Sequence, residues 1–268
     1  MKRPPAPFLA ALTFVLSTLA VSRADDMAYE LNCATNDKFL DTHFTRYGHA
    51  PTRSIVREPL GLRIELPGMP TGVEQTGVYS MFAVAGDFEV SATFELISVA
   101  PPQKGYGVTC GIAVDTEGPG GTVSLARGYQ VGNVNGYIVS QGKPSDAGMQ
   151  YESTDYGSRS QKGALVIRRE KKELVCLVAD QPSAEPFEVC RIPFTDATIR
   201  KVRIFADSGG SPTSMDARIS AIKIQAEEIT GGIPKRDRGG GRLGWLGVAA
   251  LLVVGAVGCV VYRRRQAG

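Results

Sequence analysis

The chain has 268 residues, of which 43% are hydrophobic and 21% charged, with 31 glycines and 16 prolines. This composition excludes a disordered or collagen-like chain and suits a turn-rich all-β protein better than a helical one. The formal net charge of +3 belongs to the ends: with Lys2, Arg3, Arg23, Arg263, Arg264 and Arg265 set aside, residues 25–242 hold all 27 acidic but only 24 of the 30 basic residues. That central stretch lacks the cationic excess a nucleic-acid binder needs to neutralise phosphates.

Residues 1–24 read as a secretory signal peptide. Lys2 and Arg3 form the positive start, Phe8 to Val21 is an apolar run too short to span a bilayer, and Ser22-Arg23-Ala24 offers small residues for cleavage after Ala24. Residues 25–230 form one candidate domain, and strand patterns fill it. Leu60–Leu66 alternates apolar and polar, and Val78–Val84 reads as a further strand. Asp87–Ile97 is the clearest: Phe88, Val90, Ala92, Phe94 and Leu96 share one face, and Asp87, Glu89, Ser91, Thr93 and Glu95 the other. That period of two gives one buried and one wet face.

Gly107–Val114, Thr122–Tyr129 and Gly136–Ser140 follow, each bounded by Gly, Pro or Asp. Ala164–Arg169 and Leu174–Ala179 flank the polar turn Glu170-Lys171-Lys172-Glu173; Phe187–Ile192 and Val202–Ala206 come next. The last strand, Ala217–Ala226, shifts phase, which places a bulge near Ala221. No stretch of 25–230 sustains a period of 3.6, so ten or more short strands without helices predict a sandwich or barrel. A glycine-rich polar linker occupies 231–242.

Leu243 to Tyr262 then carries no charge over 20 residues, roughly 30 Å as a helix, the thickness of the hydrocarbon core. Trp245 and Tyr262 suit its two interfaces. Residues 263–268, opening with Arg263, Arg264 and Arg265, form a short basic tail that the export signal places in the cytoplasm. Expected is therefore a single-pass cell-membrane protein with its folded domain outside. Gly239-Gly240-Gly241, the apolar span and the Arg cluster also resemble the three-part sorting tails that a sortase-like protease removes from some bacterial surface proteins.

The runs Gly86-Asp87-Phe88-Glu89-Val90, Lys104-Gly105-Tyr106-Gly107-Val108, and Asp207-Ser208-Gly209-Gly210-Ser211-Pro212-Thr213 before Asp216-Ala217-Arg218-Ile219 resemble a bacterial family of secreted domains of unknown function. That family is similar to concanavalin A-like (laminin-G-type) jelly rolls. The resemblance covers roughly 75–228, and it implies a concanavalin A-like jelly-roll β-sandwich rather than an activity. Residues 25–70 match no family motif.

Five cysteines occur, Cys259 in the apolar span and Cys33, Cys110, Cys176 and Cys190 in the domain. An even number in an oxidising compartment suggests disulfides. If Leu174–Ala179 and Phe187–Ile192 form a hairpin centred near residue 183, Cys176 faces Cys190 directly, near the reach of a disulfide. Two buried apolar thiols are the alternative. No C-x-x-C motif and no calcium loop is present, though Asp115, Glu117, Asp207 and Asp216 are conceivable oxygen ligands; no metal or cofactor is expected.

The chain has two histidines, His43 and His49, placed by pattern in a solvated loop, and no G-x-S-x-G, so a nucleophile–histidine mechanism lacks its parts. Glycoside hydrolysis needs only two carboxylates, and Asp87 and Glu89 lie about 6.6 Å apart along one strand face. Hydrolases of this fold typically carry an E-x-D-x-E-like run, but here the middle carboxylate is missing: Glu89-x-Ser91-x-Thr93-x-Glu95.

Sugar binding needs aromatic platforms and planar polar groups. Gly128–Gly157 is Gly- and Asn-rich and reads as an exposed loop region with four tyrosines, so Arg127, Tyr129, Tyr137 and Tyr151 are the candidate ligand residues, with Gln130, Asn133, Asn135 and Tyr156 nearby. The expectation is a non-catalytic binding domain for a cell-surface glycan or envelope protein. A glycoside hydrolase-like enzyme and a structural envelope scaffold are the alternatives.

Overall fold

The computed structural model describes residues 27–33, 39–48, 50–68, 72–116 and 121–231. The expected signal peptide, the membrane span, the basic tail and all but the first residue of the linker lie outside these. No helix among the described residues is long and apolar enough to cross a membrane.

In chain order the elements are β1 Met27–Asn32, α1 Phe39–His43, β2 Phe44–Tyr47, α2 Pro51–Ser54, β3 Ile55–Glu58, β4 Gly61–Leu66, β5 Gln75–Ser80 and β6 Ala83–Val99. Then come β7 Gly107–Thr116, β8 Thr122–Gln130, β9 Val134–Ser145, β10 Gly148–Gly157, β11 Lys162–Glu170, β12 Glu173–Ala179, β13 Phe187–Pro193, β14 Ile199–Asp207 and β15 Met215–Thr230. All pairings are antiparallel.

The strands form two layers. The first runs β10-β9-β8-β7-β14 and continues through β5 to β2. The second runs β13-β12-β11-β6-β15, with β1 and β4 sharing the far edge of β15 and β3 beyond β4. One ladder contact, Ile199 with Val84, joins β14 to β6 and makes the two layers continuous.

The layers meet through alternating apolar residues. Val108, Cys110, Ile112 and Val114 of β7, with Val123 and Leu125 of β8, are fully buried opposite Val90, Ala92 and Phe94 of β6 and Leu165 and Ile167 of β11. Each fully buried Leu, Ile or Phe contributes about 1.5–3 kcal/mol of transfer free energy, so this interior supplies the main drive for folding. Across the gap the Phe94 and Tyr137 rings meet edge to face, 6.3 Å apart, and the Tyr137 hydroxyl donates to the Ala179 carbonyl at 3.1 Å and to Asp180 at 2.8 Å.

Two buried arginines close the ends of this interior. Arg127 donates to the carbonyls of Gly128, Gly136, Ser158 and Ser160 and to Asn135 Oδ1. Arg169, packed 4.9 Å over the Phe88 ring, donates to the carbonyls of Gly86, Thr195 and Ala197. Burial lowers the pKa of both, because it penalises the charged form.

Most predicted strands appear with their alternation intact. Phe88, Val90, Ala92, Phe94 and Leu96 all point inward from β6. The phase shift in β15 is a register shift between Ile219 and Ala221. The family-like turn motifs meet, the Tyr106 N–H donating to the Gly209 carbonyl at 2.8 Å.

Four readings are corrected. Val78–Val84 is not one strand, because the chain turns at Met81-Phe82 between β5 and β6. The stretch Gly128–Gly157 is not a loop, since it contains the β9–β10 hairpin. The domain is not free of helix, as α1 and α2 each form about one turn. His43 is not solvated; it ends α1 and is buried.

Cys176 and Cys190 stand directly opposite each other in the β12–β13 register, both as thiols. Strand β13 is an edge of its sheet, and directly opposed residues hold their Cβ atoms close to the separation a bridge needs. On exposure to glutathione disulfide the pair is expected to close by thiol–disulfide exchange, two thiols giving one disulfide and two glutathione thiols. Mass spectrometry under non-reducing conditions should find the two cysteine peptides linked, and Cys190→Ser should abolish the link.

Candidate functional site

The two outer faces of the sandwich differ in chemistry. On the second sheet, side chains facing away from the interior form a ladder of ions. Glu89 meets Arg168 at 2.7 Å, Glu95 meets Lys162 and Arg218 at 2.8 Å, Arg218 meets Glu58 at 3.0 Å, and Arg63 joins Glu58, Glu65 and Asp216. Such pairs satisfy one another and each contributes little. The Asp87 carboxylate accepts the Lys171 N–H at 2.7 Å. The carboxylates of the hydrolase alternative, Asp87 and Glu89, are thus both engaged by their own chain.

The outer face of the first sheet is different. Register places Tyr79, Arg203, Ala113, Ser124, Ser140 and Ser153 in one row across β5, β14, β7, β8, β9 and β10. The row beside it holds Lys201, Asp115, Thr122, Gly142 and Tyr151. Beyond Arg203 and Asp115 the rows are small or hydroxyl-bearing as far as β10: Ala113, Ser124 and Ser140 in one, Thr122 and Gly142 in the other. Aromatic rings stand at their ends, Tyr79 on β5 and the exposed Tyr151 on β10. Five inter-strand steps of about 4.8 Å separate those strands, roughly 24 Å.

A third row explains why the face is rigid. Phe205 points outward from β14 yet is 3% exposed, and Ala113 and Ala126 are buried with it. Its register partners on both sides are glycines, Gly77 and Gly111. A Cβ at Gly77 would collide with the Ile204 carbonyl, and one at Gly111 with the Leu125 carbonyl, so side chains are excluded beside the phenyl ring. Tyr47 packs over this small cluster, and the Arg203 guanidinium lies 6.0 Å from the Phe205 centroid.

A hydrogen-bond network then fixes the polar groups. Arg203 grips Asp115 with two bonds of 2.7 Å, a fork-to-carboxylate geometry, and donates to Thr122 Oγ1 at 3.0 Å and to Gln75 Oε1. Thr122 donates to Asp115 at 2.6 Å, Tyr47 to Gln75 Oε1 at 2.8 Å, and Gln75 Nε2 to Asp207 at 3.2 Å. Burial works against the charge of Arg203, but the bonds and charge of Asp115 outweigh it and its pKa is raised. Burial pushes the Tyr47 phenol up to about 12. Burial also raises the pKa of Asp207, against the Gly209 N–H and Gln75, which favour its charged form. Lys201 sits 4.6 Å over the Tyr79 ring, and the rings of Tyr47 and Tyr79 are 5.8 Å apart.

The residues the sequence nominated do not share one surface. Tyr151 opens on this outer face. Arg127 and Tyr137 point inward, buried and bonded to their own chain; Tyr129 lies beside them, its ring 5.6 Å from Arg127 and its hydroxyl bonded by Gln161. Sequence reasoning missed Tyr47, Gln75, Tyr79, Thr122 and Arg203. The available signal was Phe205, an aromatic on the polar phase of Lys201, Arg203 and Asp207. Of the conceivable calcium ligands, Asp115 is bound by Arg203, Asp207 by Gln75 and Gly209, and Asp216 by Arg63, while Glu117 lies outside the described residues; the described residues include no cluster of three or more potential metal ligands.

A family model for the C domain of DUF1583, a protein of unknown function, matches residues 33–238. No curated protein matches the chain. Among solved structures, the legume lectin-like domain from Entamoeba histolytica superposes with a TM-score of 0.50 at 12% identity, covering 70% of this chain and 91% of that one. Peanut lectin gives 0.49 at 12%, covering 77% and 99%, and a Bacillus licheniformis β-glucanase gives 0.49 at 8%, covering 74% and 97%. The fold is thus an all-β sandwich resembling the legume lectin, concanavalin A-like architecture.

The raised pKa of Asp207 has a signed consequence. The folded state holds this proton more tightly than the unfolded chain, so its contribution to stability is full below the ordinary Asp value and is lost as pH rises through the folded one. Asp207→Asn removes the titration. Urea melts of the variant should lose that fall in stability between pH 4 and 7, relative to wild type. An unchanged difference between the two pH values would contradict the assignment.

Proposed function

The chain belongs to the DUF1583 C-domain family, and we propose that its sandwich is a non-catalytic carbohydrate-binding domain whose ligand lies across the outer face of the first sheet. One observation carries this reading: the rows of small and hydroxyl side chains that run between Tyr79 and Tyr151 past the fixed Arg203–Asp115 pair. Aromatic faces offer a sugar ring its apolar side, and pre-oriented planar groups and hydroxyls receive its hydroxyl groups. The transverse length suits an oligosaccharide lying across the strands. The engagement of Asp87 and Glu89 by Lys171 and Arg168 supports binding without hydrolysis.

We further propose the setting the sequence suggests: export through residues 1–24, a single membrane span at 243–262, and the sandwich outside the cytoplasm. The protein is then expected in the membrane fraction, its domain open to protease added from outside. A soluble protein, or a protected domain, would contradict the setting.

The test of the site is a glycan-array screen of the full chain in detergent, with Tyr151→Ala beside it. Tyr151 is 64% exposed, so its removal leaves the core intact. Selective binding to an oligosaccharide is expected, with about a fivefold loss in the variant, since aromatic contacts of this kind are worth on the order of 1 kcal/mol. Binding to no glycan, or binding indifferent to Tyr151, would overturn the reading.

A further inference from the structure

A separate cavity of about 600 Å³ opens where β8, β9 and β10 approach the turn at Val131–Asn133. Asn133, Asn135, Gly157, Ser158 and Arg159 line it. Its wall backs directly onto the buried Arg127. The Nη2 of Arg127 donates to Asn135 Oδ1 at 2.5 Å and to the Ser158 carbonyl at 3.0 Å. A guanidinium has donors only, so it dictates how Asn135 is turned: the amide oxygen faces Arg127, and the NH₂ group is left for the other side. No hydrogen bond among the described residues uses that NH₂.

Two further acceptors of this wall are occupied from behind. The Ser158 hydroxyl donates to Asp180 at 2.7 Å and accepts the Ser160 N–H at 3.1 Å. The Asn135 carbonyl accepts the Ser158 N–H at 3.0 Å. What remains toward the cavity is rich in donors: the Asn135 NH₂, the NH₂ end of the Asn133 amide and the exposed guanidinium of Arg159, which forms no ion pair among the described residues.

The charge count points the same way. Every hydrogen-bond acceptor of Arg127 is neutral. Asp180, the carboxylate that acts on it through space, already accepts the hydroxyls of Tyr137 and Ser158. No acidic side chain lines the cavity, while two arginines stand at and behind it. A buried cation surrounded by neutral acceptors is stabilised by an anion one layer away.

We propose that this cavity binds an oxyanion, a carboxylate or sulfate carried by an acidic sugar, through Arg159, Asn133 and the amide of Asn135. The site is distinct from the outer face of the first sheet and does not require it. Selection is electrostatic, so neutral sugars are excluded here and binding weakens with salt.

The experiment is saturation-transfer NMR on the full chain with glucuronate, glucose 6-sulfate and glucose. Arg159→Ala and Asn133→Gly are the variants, because neither residue bonds Arg127 and glycine accepts the left-handed φ of 66° at position 133; Tyr151→Ala reports on the other site. Transfer to the acidic sugars but not to glucose supports the proposal, glucuronate alone narrowing it to a carboxylate and both acids to oxyanions generally. In either case Arg159→Ala should cut the affinity at least about tenfold, and raising the salt from 50 to 500 mM, as a rough range across which screening becomes strong, should weaken it further. Tyr151→Ala should leave it unchanged. Equal transfer to glucose that persists in Tyr151→Ala, no transfer to any of the three, or indifference to Arg159→Ala would overturn it. Loss only in Tyr151→Ala would assign the binding to the outer face and overturn it as well.

Discussion

Phe205 faces away from the interior of the sandwich and is still 3% exposed, and the outer face of the first sheet depends on that burial. Its neighbours in register, Gly77 and Gly111, have no side chains to compete for the space. The ring therefore forms a second, smaller apolar cluster with Ala113 and Ala126, covered by Tyr47. Arg203 lies over the same ring and spends its fork on Asp115. A mobile arginine on a solvated strand would lose rotamer entropy on meeting a ligand; one held by Asp115, Thr122 and Gln75 has already lost it. Packing beneath the face thus produces the pre-orientation above it.

The second sheet shows the alternative use of an outer face. There the side chains are long and charged, and they answer one another: Glu95 with Arg218 and Lys162, Arg218 with Glu58, Arg63 with Asp216. Solvent screens such a ladder, and its charges are largely spent on one another. On the first sheet the charge in the two rows between Tyr79 and Tyr151 is confined to Lys201, Arg203 and Asp115, and Ala113, Ser124, Ser140, Thr122 and Gly142 fill the rest. The same architecture therefore offers one closed electrostatic face and one face with room for a ligand.

The interior of the fold was legible in the sequence because period-two alternation is a local signal. Phe88 through Leu96 on β6 and the β11–β12 turn can be read from neighbours alone, and so can the opposition of Cys176 and Cys190 once the hairpin is centred. The site was much less legible. Tyr47, Gln75, Tyr79, Asp115 and Arg203 lie on four strands, β2, β5, β7 and β14, and only the pairing order brings them together. The four tyrosine and arginine candidates came from one stretch of chain, but alternation divides them: Arg127 and Tyr137 turn inward and Tyr151 outward. His43 was misplaced for a related reason, since one turn of helix between strands is too short to leave a period.

The central claim is that a ligand occupies the outer face of the first sheet. It is tested most directly by amide hydrogen exchange of the full chain with and without a bound oligosaccharide. The account predicts added protection in segments 75–80, 111–116 and 201–207, with β11 and β12 unchanged. Protection confined to the second sheet, while binding persists, would contradict it.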